Sequence, residues 1–173
     1  MIYNNPTKGD DGLYHVRAYT DERKRHFLRI NDVKIVDITD SDITFDVNGS
    51  EIIDELHDMN IRNAIENAEM WFGKKVSEKT IRSSYIRDEV ITADYIEHTK
   101  IFDSDKTNVE RDTLEAGQVC SVIFEFEGLW FAKKAFGPAW NVVQVKVHTP
   151  QTRDTQEDFD ETYPEEYMFG DDE

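Results

Sequence analysis

The sequence predicts a mainly β protein with one inserted helical element and an acidic C-terminal tail. Three observations predict it. Short runs rich in β-branched and aromatic residues recur, separated by Asn, Asp and Gly. One stretch, residues 50–84, carries apolar residues at helical spacing instead. The last twenty residues hold ten acidic residues and no lysine or arginine.

Residues 1–12 cluster Asn, Pro, Gly and Asp and read as a flexible lead-in. LYHVRAYT (13–20) reads as a strand, and DERKRH (21–26) as a polar link with three adjacent basic residues. HFLRI (26–30), VKIVDI (33–38) and ITFDV (43–47) form a meander punctuated at Asn31, Asp32 and residues 40–42. Ser50 is placed as a helix N-cap, with Glu51, Asp54 and Glu55 in the first turn. Ile53, Leu56, Ile61, Ala64, Ile65, Ala68 and Trp71 or Phe72 supply an apolar stripe. That stripe loosens at residues 58–60, where a break is expected, and Gly73 is placed to end the helix. Ser77 caps a second helix over 78–84, with Val76 and Ile81 positioned as a hydrophobic staple. Strands are expected at 85–91 and 95–102, then a polar loop over 103–117. In VCSVIFEFEG (119–128), Cys120, Val122, Phe124 and Phe126 share one face, and the strand continues through LWFA. KKAFGP turns, and AWNVVQVKV (139–147) returns. Together these elements describe an OB-like five-stranded barrel plus extra strands, spanning 13–150 with its helical insertion near 50–84, and a disordered acidic tail over 151–173.

The charge is distributed unevenly. The 173 residues sum to −17, of which residues 154–173 carry −10. The other 153 residues hold 27 acidic and 20 basic residues, a net −7, so a basic face remains open to the body. A tail so charged, with few aliphatic residues, buries too little apolar surface to offset the entropy of ordering. No apolar run approaches the roughly 20 residues of a membrane span. The N-terminus lacks the basic start and apolar stretch of a signal peptide, so the expected location is intracellular and soluble, with no membrane partner. A single cysteine, Cys120, with apolar neighbours reads as a buried thiol, and no cofactor is expected.

Motifs for catalysis are missing: no phosphate-binding glycine loop, no nucleophile elbow and no zinc-protease helix motif occurs, and the chain reads as a non-enzyme. The segment from Asp103 resembles half a calcium loop, but Asn108 stands where glycine is required and Leu114 where glutamate is, so no metal site is assigned.

Aromatic and basic residues cluster three times. The first cluster is Trp130, Phe131, Lys133, Lys134, Phe136 and Trp140, with Lys146 further along the same strand. The second is Trp71, Phe72, Lys74 and Lys75; the third is Arg23, Lys24 and Arg25 beside Phe27. Stacked aromatics hold bases, and lysine and arginine neutralise phosphates, so the pattern fits single-stranded nucleic acid. Trp130 and Phe131 are adjacent in a strand and point to opposite faces, so one of them is expected off the core. Alternation likewise sets Trp140 apart from the face of Val143, Val145 and Val147.

Residues 117–147, GQVCSVIFEFEGLWFAKKAFGPAWNVVQVKV, followed by an acidic tail, resemble the closing strands of viral single-stranded-DNA-binding proteins with one OB fold, from bacteriophages and large double-stranded-DNA viruses. Gly137, Trp140, Val143 and Gln144 carry that likeness, and WFGKK after a helix adds to it; it spans roughly residues 60–173. Tails of this kind end in an aromatic residue, whereas here Phe169 is followed by Gly170, Asp171, Asp172 and Glu173. The resemblance implies a groove for single-stranded DNA exposed in viral replication or recombination, at a nuclear or cytoplasmic replication site of the host cell. It also implies a tail whose Phe159, Tyr163, Tyr167 and Phe169 mimic bases among carboxylates, or that recruits basic replication proteins. Self-association stays open. Two other functions fit the same residues: a viral structural or assembly protein, and an acidic mimic of DNA.

Overall fold

The computed structural model describes residues 1–148; the acidic tail, with Phe159, Tyr163, Tyr167 and Phe169, lies outside the described residues. In chain order the strands and helices are β1 (Ile2–Tyr3), β2 (Thr7–Lys8), β3 (Tyr14–Tyr19), β4 (His26–Ile38), β5 (Asp42–Asp46), α1 (Glu51–Glu66), α2 (Ala68–Phe72), α3 (Glu78–Ser84), β6 (Val90–Phe102), β7 (Asn108–Val109), β8 (Val119–Phe131) and β9 (Phe136–Val147). The protein is mainly β, as its sequence predicts. Hydrogen-bonded neighbours run β1-β3-β8-β4-β5-β6-β7, with β2 on β3 and β9 joining β6 to β8. The strands β8, β4, β5, β6 and β9 therefore close a ring, in which β6 and β9 are parallel. This is an OB-like order, with the three helices inserted between the second and third ring strands.

Two compact units divide the chain. The first comprises Met1–His26, Val47–Ile91 and Glu125–Trp140. In it β3 pairs antiparallel with the end of β8, setting Tyr14 opposite Phe131 and His15 opposite Trp130. Gly128 is required by that pairing: its φ is 135°, and a Cβ there would overlap the Val16 carbonyl. Residues 2–3 and 7–8, expected as lead-in, pair with β3 instead. Their short backbone ladders need no apolar side chain, so composition did not reveal them.

Ser50 caps α1 as predicted, its hydroxyl accepting from the Ile53 N–H. The break expected at residues 58–60 does not occur: α1 runs unbroken to Glu66, and Asn67 resets the chain into α2. His57 and Asn60 are polar yet buried, because tyrosine hydroxyls meet them from other elements. Gly73 ends α2 in the left-handed region (φ 76°), and the Ser77 hydroxyl accepts from the Thr80 N–H to start α3. The strand expected at 85–91 is reduced to its ends. Tyr85 bridges to Phe136, and Arg87 is drawn to Asp58 at 2.8 Å and to Asp54 at 3.7 Å.

The second unit comprises Phe27–Asp46, Thr92–Phe124 and Asn141–Glu173, the last of these described as far as His148. The two runs expected at 26–30 and 33–38 are one strand, continued past Asp32 by a single left-handed residue (φ 59°). β5 pairs back on β4 with a register shift between Ile35 and Asp37. The register of β6 on β9 jumps between Tyr95 and Lys100, and the Thr99 hydroxyl donates to the Val142 carbonyl across the gap. Within the expected loop 103–117, the Asp103 carboxylate accepts from the Asp105 and Thr107 N–H groups, closing the β6–β7 turn. Ile35, Ile43, Phe45, Val122, Phe124, Val142 and Val145 are sealed in the core, with Phe45 and Phe124 edge to face at 5.2 Å. Cys120 is fully buried, as its neighbours predict. His148 is clasped by the Ser121 hydroxyl at 2.9 Å and by Asp32 at 3.3 Å.

Candidate nucleic-acid interface

Within the first unit a groove of ≈ 560 Å³ opens beside the β8–β9 turn. The strand alternation of β3 and β8 brings Tyr14 and Phe131 to it, α2 brings Trp71 and Phe72, and the start of β9 brings Phe136. Its floor is aromatic. Phe131 and Phe136 stack with ring centroids 5.3 Å apart, Phe72 meets both edge to face at 5.4 and 5.3 Å, and Trp71 meets Phe131 at 5.9 Å. Such pairs favour offset or edge-to-face geometry because each ring carries a negative face and a positive edge.

Lysines form the rim. Lys133 and Lys134 stand exposed on the turn that the Ala132 N–H closes by donating to the Ala135 carbonyl, and Lys74 stands exposed just past the end of α2. Thr80 and Ser84 of α3 add hydroxyls. No aspartate or glutamate is among the sixteen described lining residues, in a chain with 37 acidic residues. The groove is therefore locally cationic inside an acidic protein.

The structure thus brings the first two sequence clusters together and separates some of their members. Lys75 lines a neighbouring depression with Glu66 and Glu69. Trp130 is half-buried and does not line the groove; its indole N–H donates to the Pro138 carbonyl at 3.2 Å and its ring lies on Gly137. Phe131, its strand neighbour, is buried. Trp140 is buried against Phe126, 5.4 Å between centroids, because both faces of β9 are covered from Trp140 to Val145. Lys146 is half-buried on β9 in the second unit, in register with Phe102.

Arg23, Lys24 and Arg25 are exposed on the β3–β4 turn, where Arg23 takes a left-handed φ of 65°. Arg25 is committed: its guanidinium donates at 2.9 Å to Glu125, whose side chain is only 3% exposed. A buried carboxylate requires such a partner.

Two features escaped the sequence. Tyr14 is 50% exposed at the groove edge, the most accessible aromatic ring there. Its period-two spacing from Val16 and Ala18 was the available signal. The other is a buried polar chain behind the floor. Tyr3 donates to Asn60 at 2.6 Å, Asn60 donates to the Tyr85 hydroxyl at 3.0 Å, and Tyr85 lies 2.6 Å from His57 Nδ1. Burial holds the His57 imidazole below its ordinary range and both tyrosine hydroxyls above theirs.

Fold and groove define a β-ring protein with a cationic, aromatic-floored cleft. The chain belongs to a family of unknown function (DUF5871), whose profile matches residues 31–171. No curated protein matches it. The fold is similar to that of the single-stranded DNA-binding protein from bacteriophage Enc34: TM-score 0.52, 12% identity, 92% of this chain and 97% of that one. A C-terminal truncation of the same phage protein gives 0.52 and 12% over 85% of this chain and 95% of that one. Its complex with single-stranded DNA gives 0.48 and 12%, over 86% and 97%.

Proposed function

We propose that this protein binds single-stranded DNA without sequence preference, with no chemistry of its own, and serves viral DNA replication or recombination. One observation carries the proposal: the groove gathers Lys74, Lys133 and Lys134 over an aromatic floor, with no carboxylate among its described lining residues. Lysines at that rim neutralise phosphates, while Tyr14 and Phe72 offer rings to bases. The β8–β9 turn that carries Lys133 and Lys134 joins the last two ring strands, a loop that OB folds use for oligonucleotides. The phage protein of similar fold is a single-stranded DNA-binding protein. The acidic tail, residues 154–173, competes with DNA for this groove or recruits basic replication proteins; its −10 charge complements the lysine rim.

Fluorescence titration of labelled oligo-dT tests this, run on the full chain and on residues 1–153. Binding by both, tighter for the shorter chain and most of all at low salt, is the expected result. Replacing Phe159, Tyr163, Tyr167 and Phe169 with serine separates mimicry from plain repulsion, because the charge stays the same. Mimicry predicts tightening towards the truncated value, and repulsion predicts no change. If neither chain binds oligo-dT at low salt, the proposal fails and an assembly role takes its place.

A further inference from the structure

The buried chain Tyr3, Asn60, Tyr85, His57 touches the groove floor at two places. The Tyr3 ring packs on Trp71 at 5.3 Å, and the Tyr85 ring packs on Phe136 at 5.2 Å. Backbone contacts reinforce the second: Tyr85 bridges to Phe136, and the Ile86 N–H donates to the Phe136 carbonyl at 2.8 Å. One order of donors gives every hydrogen bond of this chain a donor and an acceptor. Asn60 directs its amide N–H at the Tyr85 oxygen, and in this order the Tyr85 hydroxyl donates to His57 Nδ1, the acceptor beside it. His57 then accepts and carries its own proton on Nε2, a buried atom with no hydrogen-bond partner among the described residues. An imidazolium has two donors and no acceptor, so it cannot receive the Tyr85 hydroxyl.

From this geometry we infer that His57 and Tyr85 are positioning residues for the groove floor, and that protonation of His57 loosens the DNA site. The inference deepens the single-stranded DNA proposal and rests on it. Charged and titratable groups face His57 from each side. Asp54 and Asp58 lie on its own helix, Arg87 and Asp88 follow Tyr85, and Arg87 is itself held by Asp58 and Asp54. Protonation turns Nδ1 into a donor, so the Tyr85 oxygen then accepts from both Asn60 and His57 and its own proton loses its acceptor. A buried O–H without an acceptor is costly, so the hydroxyl and its ring are driven towards a new partner, and Phe136 is the ring's nearest aromatic neighbour across the bridge. By reciprocity, bound DNA resists protonation of His57.

The sign separates this from simple electrostatics. Each histidine or carboxylate protonated on acidification makes the protein more positive, which tightens DNA binding. Loss of the His57 acceptor acts in the opposite direction.

The experiment measures the oligo-dT dissociation constant at pH 7.5 and 5.0 on the full chain, with circular dichroism confirming the fold at both. In parallel, NMR of the free protein follows the His57 imidazole and the Phe136 ring through the same range. The wild type is expected to weaken about 5-fold or more on acidification, with the Phe136 resonances tracking His57. His57→Asn keeps an acceptor near the Nδ1 position and cannot titrate, so it should tighten with acid instead. Tyr85→Phe keeps the ring on Phe136 without the hydroxyl and should also lose the acid weakening. A wild type that tightens with acid, or Phe136 resonances that ignore His57, overturns the inference. If Phe136 tracks His57 but no DNA binds at pH 7.5, the positioning role stands and the DNA-binding proposal falls.

Discussion

Phe131 and Phe136 lie parallel, their planes 1° apart, one on each side of the turn that displays Lys133 and Lys134. The last residue of β8 and the first of β9 are thus locked to each other, and the lysines sit on a loop whose two ends are fixed. Truncating either ring removes packing that the other ring, Phe72 and Trp71 or Tyr85 share. Phe131→Ala or Phe136→Ala should lower the unfolding free energy by about 3–5 kcal/mol, measured as a shift in the urea midpoint. A change below about 1 kcal/mol would mean that the cleft collapses around the gap.

Lys133→Ala with Lys134→Ala leaves this packing untouched, because both side chains are exposed. The doubly substituted protein should keep its melting temperature and bind oligo-dT more weakly. Its salt slope should be smaller by about 0.7 for each phosphate that is no longer neutralised. Titrations at three or more salt concentrations read this directly, and an unchanged slope would remove both lysines from the interface.

Tyr14 is the accessible ring at the groove edge and contributes little to the core. Tyr14→Ala should weaken oligo-dT binding by about 1–3 kcal/mol, the usual worth of one stacked base, with an unchanged melting temperature. Trp130→Ala is the control, since that ring lies outside the groove lining. Equal losses for the two variants would contradict the assignment of the groove.

Stability itself should depend on acid. Burial lowers the affinity of His26, His57 and His148 for protons in the folded state. In the unfolded chain each titrates near 6.5. Above that pH the imidazoles are neutral in both states and the contribution is complete. As pH falls below it, the unfolded chain takes up protons that the folded one refuses, and stability is lost down towards the folded-state pKa values. Urea denaturation at pH 7.5 and 5.5 should show the decline, smaller in His57→Asn. A midpoint independent of pH would refute it.

Burial pushes the Cys120 thiol up to about 12, so it is protonated at neutral pH and shielded from reagents. A thiol-reactive dye should label the native protein slowly and the urea-unfolded protein at once. Rapid native labelling would place Cys120 outside the core.

Much of the fold was legible because period and punctuation agree. Ser50, Gly73 and Ser77 mark helix ends by side-chain chemistry that acts locally, and the alternation of 119–131 gives β8 its register. Two of the misreadings share a cause: polar residues whose partners lie far along the chain. Residues 58–60 looked like a break in α1 because the partners of Asp58 and Asn60 lie far away: Arg87 is 29 residues on and Tyr3 is 57 residues back. Arg87 looked like part of a strand for the same reason. The basic-aromatic clusters were visible as composition, but which lysines share a cleft is set by the β8–β9 turn and the end of α2. Lys74 and Lys75 are neighbours in sequence and line different depressions.

A small cationic cleft on a chain of net charge −17 has a consequence for the rate of encounter as well as for affinity. At very low ionic strength the approaching strand meets the field of the whole polyanion, which reaches about 30 Å at 0.01 M salt, before it meets the three lysines. Moderate salt hides that distant repulsion first and leaves the short-range pull largely intact. Association should therefore quicken, pass through a maximum and slow again as salt rises, whereas a uniformly basic binder only slows. Selectivity for strands already held close to the protein, at a site of unwinding, would arise from that profile with no base-specific contact.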